Sequence, residues 1–295
     1  MDYESGAPPF LPEGRRVPLK GRGTTYVREV LGPPGAPVLV LLHGWTASSA
    51  LNWFGCYPHL GRRFRVLAID HRGHGRGIRN RHPFRLEDCA DDVAALAEQL
   101  GIPRFIPVGY SMGGPIALLT WRRHPEMVEG LVLCATARRF ATGRPADRAI
   151  AGGMVGLSLA ASLSPEGLRR MAVERFINGR LAGTALDRWA ASELRLNDPV
   201  PLLQAGAALA RFDARPWIGE VSVPSAVVVT ESDQIVAPAS QLALANSLPR
   251  SQVFRVAGDH GVCATEPERF APILSAACEH VARQAGAWRS DSSHV

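Results

Sequence analysis

The stretch that decides the fold is PVGYSMGGPIAL, residues 107–118, in which Gly109 and Gly113 stand two positions either side of Ser111. A flexible linker would be polar and rich in glycine throughout. Here RFIPV (104–108) leads in with a strand-like pattern and PIALLTW (115–121) leads out with a helix-like one. A strand that turns directly into a helix strains its central residue and brings the two backbones too close for side chains beside the turn. Glycine at 109 and 113 supplies that clearance. The turn then lifts Ser111 Oγ out at the carboxyl end of the strand. It also aims the N-terminus of the helix, with its free N–H groups and positive dipole end, at whatever the serine attacks.

Outward from this turn the chain alternates. Short apolar runs predict buried strands: VLVLL (38–42), RVLAI (65–69), FIPVG (105–109), GLVLC (130–134), SAVVVT (225–230) and QVFRV (252–256). Helical patterns lie between several of them. LEDCADDVAALAEQLG places Leu86, Cys89, Ala90, Val93, Leu96, Ala97 and Leu100 on one face and ends at Gly101. TEPERFAPILSAACEHVARQ (265–284) predicts a last helix, with Thr265 and Glu268 at capping-box spacing. RRVPLKG (15–21) and TTYVREVLG (24–32) predict an opening antiparallel hairpin. Strands alternating with helices specify an α/β class, a mostly parallel twisted sheet with helices on both faces. The alternation stops between about 138 and 216, where RAIAGGMVGLSLAASL, GLRRMAVERFING, ALDRWAASELRL and PLLQAGAALARF are helical in pattern and rich in small residues. The expected organisation is a core of residues 16–137 and 217–286, a helical insertion at 138–216, and loose ends at 1–15 and 287–295.

With 295 residues, 46% of them hydrophobic, the chain is long enough to bury a sizeable core. Five cysteines, an odd number with no C-x-x-C pair, speak against a disulfide scaffold or a zinc ribbon and fit a reducing compartment. The N-terminal stretch has no apolar run of signal-peptide length, and no window approaches the ~18 apolar residues of a membrane span. The expectation is a cytoplasmic protein without stable membrane insertion. Net charge is +6, and Lys20 is the sole lysine among 33 basic residues. That skew reads as genome composition. The dense stretch RRFRVLAIDHRGHGRGIRNRHPFR (62–85) carries no recognition motif, so no nucleic-acid partner is expected.

A nucleophilic serine needs a base. His260, in VAGDHGVCATEP, lies between the last strand and the last helix, where a loop can reach over Ser111. Most of the other histidines have plainer readings. His71 and His74 in DHRGHGRG follow a strand in a Gly/Arg-rich loop with only Asp70 as a nearby carboxylate, so no metal site is expected. His43 shapes a loop after a strand, His124 precedes Pro125, and His280 lies on the last helix. The orienting acid is sought after the penultimate strand. There Asp233 in VVVTESDQIVAP is favoured over Glu231, which sits earlier in the loop, and over Asp259, which adjoins His260 and reads as a turn residue. The resulting order is Ser111, Asp233, His260.

These features resemble the α/β-hydrolase fold family over nearly the whole chain. The match comprises the elbow GYSMGG, the His43-Gly44-Trp45 loop after an early strand, the DHRGHGRG loop from Asp70, and the acid–histidine order. The resemblance implies an oxyanion hole made by the backbone N–H groups of Trp45 and Met112. It also implies that residues 138–216 form a cap over the site. Asp259 departs from the small residue that many relatives carry before the histidine.

Ser111, Asp233 and His260 together point to a serine hydrolase that forms an acyl-enzyme, with a carboxylic ester as the expected bond and a lipophilic ester or thioester within reach. No cofactor is expected. The partner is a small acyl substrate, and the sequence leaves the oligomeric state open. His43, Tyr110, Met154, Leu157 and Leu159 are the candidate pocket residues. Carbon–carbon bond hydrolysis, cofactor-free peracid formation and acyl transfer use the same three residues and remain alternatives. A hydrolase-like ligand receptor is a further alternative, against which the intact Ser111, Asp233 and His260 argue.

Overall fold

The computed structural model describes residues 8, 11–79, 82–141, 145–168, 171, 174–175 and 184–288. Its strands are β1 (Gly14–Leu19), β2 (Gly23–Val30), β3 (Val38–Leu42), β4 (Arg65–Ile69), β5 (Ile106–Tyr110), β6 (Leu131–Cys134), β7 (Ser225–Thr230) and β8 (Ser251–Val256). They form one sheet in the order β1-β2-β4-β3-β5-β6-β7-β8. β1 and β2 are an antiparallel hairpin, and β2 joins β4 antiparallel. From β4 to β8 every pairing is parallel. The apolar runs of the sequence are these strands, displaced by at most one residue.

Alternation along each strand explains the layers. In β3, Val40 and Leu42 enter one hydrophobic cluster, and Leu39 and Leu41 enter the other. In β7, Val227 and Val229 face the first cluster while Ala226 and Val228 face the second. Successive strand side chains point to opposite faces, so a strand buried on both sides must be apolar throughout. Helices α1 (Ser49–Trp53) and α2 (Tyr57–Leu60) follow β3, α3 (Leu86–Gln99) precedes β5 and α4 (Gly113–Arg123) follows it. α3 buries Leu86, Cys89, Ala90, Val93, Leu96 and Ala97, the face read from its periodicity, and Gly101 (φ 64°) lets the chain leave it.

Between β6 and β7 the described residues form helices α5 (Pro145–Leu163), α6 (Ala185–Leu194) and α7 (Pro199–Arg211). Among the described residues of this segment the strand-like pairing is an antiparallel bridge between Arg139 and Asp213. α5 packs along α7. Its buried stripe is Ala151, Met154, Val155 and Ser158, at helical spacing, with Met154 and Val155 only partly covered. Helices α8 (Pro238–Ala245), α9 (Val262–Thr265) and α10 (Pro267–Ala285) complete the chain.

Two local expectations change. The capping box at Thr265 is absent, because Pro267 opens α10 at its first turn and Glu266 caps it without a side-chain hydrogen bond. Thr265 instead ends α9. At the C-terminus the expected loose end is packed for two residues: Ala287 is buried and the Trp288 ring rests on Phe64 at 5.4 Å. Residues 289–295 of that end lie outside the described residues, as do 1–7, 9 and 10 of the other. All five cysteines are free and buried. Among the described residues no helix is long and apolar enough to cross a membrane.

Several arginines of the dense stretch are engaged within the fold. Arg65 pairs with Glu29, Arg72 with Asp92, and Arg76 with Glu193. The histidines beside them are sealed in. His43 rests on His71 at 4.3 Å and on His74 at 5.5 Å between ring centres, and all three are buried. Burial holds His43 down to about 4 and His74 to about 3, and drives His71 well below its ordinary 6.5.

Each of these rings is a base whose folded pKa lies below its unfolded one. The unfolded chain therefore takes up protons near pH 6.5 that the folded chain refuses until about pH 4 or lower. Stability is complete above 6.5 and falls as the pH drops through that window. Each proton contributes about 1.4 kcal/mol per pH unit, so the trio should give a slope of about 4 kcal/mol per unit below pH 6. Urea unfolding between pH 7.5 and 5 measures it. His74→Gln should reduce the slope by about a third, and a flat profile would contradict the burial of the rings.

Candidate active site

β4 lies on one side of β3 and β5 on the other, so the chain reverses direction across the sheet at the carboxyl ends of β3 and β5. A crevice opens at such a reversal, and the loops leaving both strands meet over it. Residues His43, Gly44 and Trp45 leave β3 there, and Ser111 leaves β5. A Cβ added to Gly44 would lie 3.4 Å from Ser111 Cβ, so the two loops touch.

Ser111 has φ 51°, the strained conformation expected of the elbow. Its N–H donates to Cys134 O at 2.9 Å, and its carbonyl accepts from Gly114 N at 2.9 Å and Thr136 Oγ1 at 2.8 Å. The flanking glycines act as the sequence indicated. A Cβ at Gly109 would sit 2.2 Å from Gly113 O, and one at Gly113 would sit 2.0 Å from Leu42 O. Both contacts are with backbone, which cannot turn aside.

His260 reaches Ser111 from the loop between β8 and α9, with Nε2 3.0 Å from Ser111 Oγ. Its Nδ1 is 2.7 Å from Asp233 Oδ2. Asp233 follows β7 and its side chain is fully covered. Oδ1 accepts from Ile235 N and Val236 N, both at 2.8 Å, and Oδ2 also accepts from Thr230 Oγ1 at 2.8 Å. Burial pushes this carboxyl up, but the His260 imidazole, the Val236 N–H and the Thr230 hydroxyl together hold it below the usual carboxylate range. An ionised carboxylate accepts only. It therefore takes the Nδ1–H of His260 and leaves Nε2 as an acceptor for the serine hydroxyl. The rival carboxylates are elsewhere: Glu231 is exposed and faces Arg255, and Asp259 accepts from Gly261 N at 2.7 Å in its own turn.

Three supporting side chains carried no sequence signal. Gln241, fully buried on α8, donates to Thr230 Oγ1 at 2.8 Å, Val236 O at 2.7 Å and Asp233 Oδ2 at 3.2 Å. Thr136 supports the Ser111 carbonyl. Asn52 on α1 accepts from Gly44 N at 2.8 Å. Their residue types are unremarkable in sequence, and only the fold brings them to the site.

The backbone N–H groups of Trp45 and Met112 have no protein acceptor among the described residues. Met112 caps α4, so its N–H belongs to the positive end of that helix. The Trp45 indole donates to Leu202 O at 2.8 Å. Gly206 admits the Trp45 ring, since a Cβ there would lie 2.8 Å from both Trp45 Cζ2 and Met154 Sδ.

The candidate pocket residues divide. Met154 is half-buried beside Trp45 and Gly206. Leu157 and Leu159 lie off the buried stripe of α5 and are 60% exposed, so they are not brought to the serine. His43 is buried beneath its loop, donating from Nδ1 to Gly44 O at 2.8 Å and accepting at Nε2 from His71 N at 3.0 Å. Tyr110 is buried, and its hydroxyl donates to His260 O at 2.8 Å. His43 and Tyr110 thus hold the site from behind and do not line a pocket. Among the described residues no group of three His, Cys, Asp or Glu is arranged to hold a metal ion.

If backbone clearance sets the elbow, Gly113→Ala should destabilise by about 3 kcal/mol or more. Gly153→Ala on α5, where a Cβ meets nothing within 4 Å, should stabilise by about 0.5–1 kcal/mol. Urea titration of both variants tests the contrast.

A family model described as the alpha/beta hydrolase fold matches residues 37–267. A putative carbamate hydrolase, RutD, of Agrobacterium fabrum is 31% identical over 251 residues, covering 80% of this chain and 90% of that protein. A pimeloyl-[acyl-carrier protein] methyl ester esterase of Chromobacterium violaceum is 30% identical over 264 residues, covering 87% of this chain and 98% of that protein. A hydrolase from Pseudomonas aeruginosa shares the fold with a TM-score of 0.75 at 20% identity, over 90% of this chain and 98% of that structure.

Proposed function

Because the chain belongs to the alpha/beta hydrolase family, we propose that it is a serine hydrolase that cleaves a carboxylic ester through an acyl-enzyme on Ser111. The observation that carries this reading is the unbroken hydrogen-bond chain from Ser111 Oγ through His260 to the ionised Asp233. His260 Nε2 takes the serine proton as Oγ bonds to the acyl carbon. Asp233 holds the imidazole in the required tautomer and offsets its positive charge. The Trp45 and Met112 N–H groups receive the oxyanion of the tetrahedral intermediate. His260 then returns the proton to the leaving alcohol, and water, activated by the same imidazole, releases the acid.

In this reading residues 16–137 and 217–286 are the catalytic core and residues 138–216 are a cap. Support comes from hydrogen bonds that join α6, α7 and the turn between them to the loop after β3. Met154 is then the acyl-pocket residue of α5. Ester substrates agree with a relative named as a methyl ester esterase, and the name of another makes carbamates the informative comparison.

A fluorophosphonate should label Ser111 stoichiometrically, and peptide mapping that found the label elsewhere, or nowhere, would sink the assignment. Ser111→Ala should lower ester turnover by ~10³ or more with the fold intact. Asp233→Asn should lower kcat by about 10²–10⁴, because the amide favours the wrong imidazole tautomer, while Glu231→Gln and Asp259→Asn should cost far less. A p-nitrophenyl series from acetate to decanoate, run beside an aryl carbamate, measures the turnover of each variant.

The same series tests the pocket. Met154→Trp should shift the preferred acyl length, with about 1–3 kcal/mol of discrimination per methylene, and leave fluorophosphonate labelling in place. An unchanged length profile would remove Met154 from the acyl site.

A further inference from the structure

Thr46 has φ 68°, in the left-handed region that a β-branched residue avoids. It follows Trp45 directly, so relaxing Thr46 would re-aim the segment that carries the Trp45 N–H. The contact that opposes relaxation comes from 151 residues away. Asn197, in the turn between α6 and α7, donates from Nδ2 to Thr46 O at 2.7 Å. Its Oδ1 accepts from Gly75 N, in the loop after β4, at 2.9 Å. The amide orientation is fixed by its partners, since a carbonyl can only accept and a backbone N–H can only donate. Two neighbours reinforce the turn: Ser48 Oγ donates to Glu193 at 2.7 Å, and Asp198 N donates to Gly73 O at 3.0 Å.

We propose that Asn197 is a positioning residue which holds Thr46 left-handed and thereby aims the Trp45 N–H, so that the oxyanion hole is complete only when the α6–α7 turn is seated on the loop. This rests on the assignment of Trp45 N–H to the oxyanion under the proposed hydrolysis. Seating of the helical segment then acts on the transition state and not only on access, because a mis-aimed donor weakens oxyanion binding while leaving the ground-state ester little affected.

The test compares the full chain with Asn197→Asp, which keeps the bond from Gly75 and loses the donor to Thr46, and with Asn197→Ala. On p-nitrophenyl acetate, kcat should fall about tenfold or more in both, with KM within about twofold. Inhibition by a phenylboronic acid, whose serine adduct places an oxyanion in the hole, should weaken by a similar factor. Glycine accepts the left-handed conformation without strain. The loss caused by Asn197→Ala should therefore shrink at least threefold in a Thr46→Gly background. A latch that only packs the segment would lower the melting temperature or raise KM, leave kcat and boronate affinity alone, and show no coupling to Thr46; that result overturns the inference. Should Asn197→Ala fail to fold, Asn197→Asp alone decides through its kcat and boronate affinity. A wild-type chain that neither turns over esters nor takes a fluorophosphonate at Ser111 overturns the hydrolase reading and this inference with it. Normal labelling with unaffected Asn197 variants overturns this inference alone.

Discussion

Helix α4 runs so close to β3 and β5 that no side chain fits between them. A methyl group at Gly113 would fall 2.0 Å from the Leu42 carbonyl, well inside contact distance. That approach sets the height of Ser111 above the sheet and forces its backbone into the left-handed region. Strain of this kind persists only when the surroundings over-determine it. Here the Cys134 carbonyl, the Gly114 N–H and the Thr136 hydroxyl all hold the Ser111 peptide groups. Every other distance in the site is measured from the point this packing defines.

The second constraint is electrostatic. A carboxylate with no solvent contact is costly unless hydrogen bonds replace its water. Asp233 has two backbone N–H groups on one oxygen and a hydroxyl, an amide and the His260 ring on the other. Such a carboxylate is both ionised and immobile. The His260 ring is fixed at one edge by that carboxylate, and its own carbonyl is fixed by Tyr110. The imidazole therefore meets the serine with little freedom left to lose, which is the preorganisation that the proposed acyl transfer needs.

Much of this was legible in sequence because it depends on short-range pattern. Short continuous apolar runs name strands wherever both faces are buried, and the six runs read that way all became strands. The glycine pair around Ser111 encodes a steric fact that any reader of the chain can reconstruct. The preference for Asp233 over Glu231 followed from loop depth alone. What escaped depends on contacts between distant segments. Gln241, Thr136, Asn52 and Asn197 are common residues whose roles come from partners that no spacing rule connects to them. Leu157 and Leu159 misled for a related reason: a helix rich in small and apolar residues has no strong polar face, so composition could not say which side meets the protein. The Thr265 capping box matched a pattern that Pro267, two residues on, displaced.

The Tyr110 hydroxyl ties the elbow to the His260 carbonyl across 150 residues. The serine is laid down well before its hydrogen-bond partner His260, which belongs to the connection between β8 and α9. During synthesis from the N-terminus, β3, β4 and β5 emerge long before β8 can pair with β7 at the sheet edge. Non-local pairings of this kind form late. A nascent chain shorter than 260 residues thus lacks the imidazole that accepts from Ser111 Oγ, and position 111 carries an ordinary hydroxyl. Under the proposed hydrolysis, reactivity at Ser111 waits for the segment that carries His260, so a half-folded copy is a silent one.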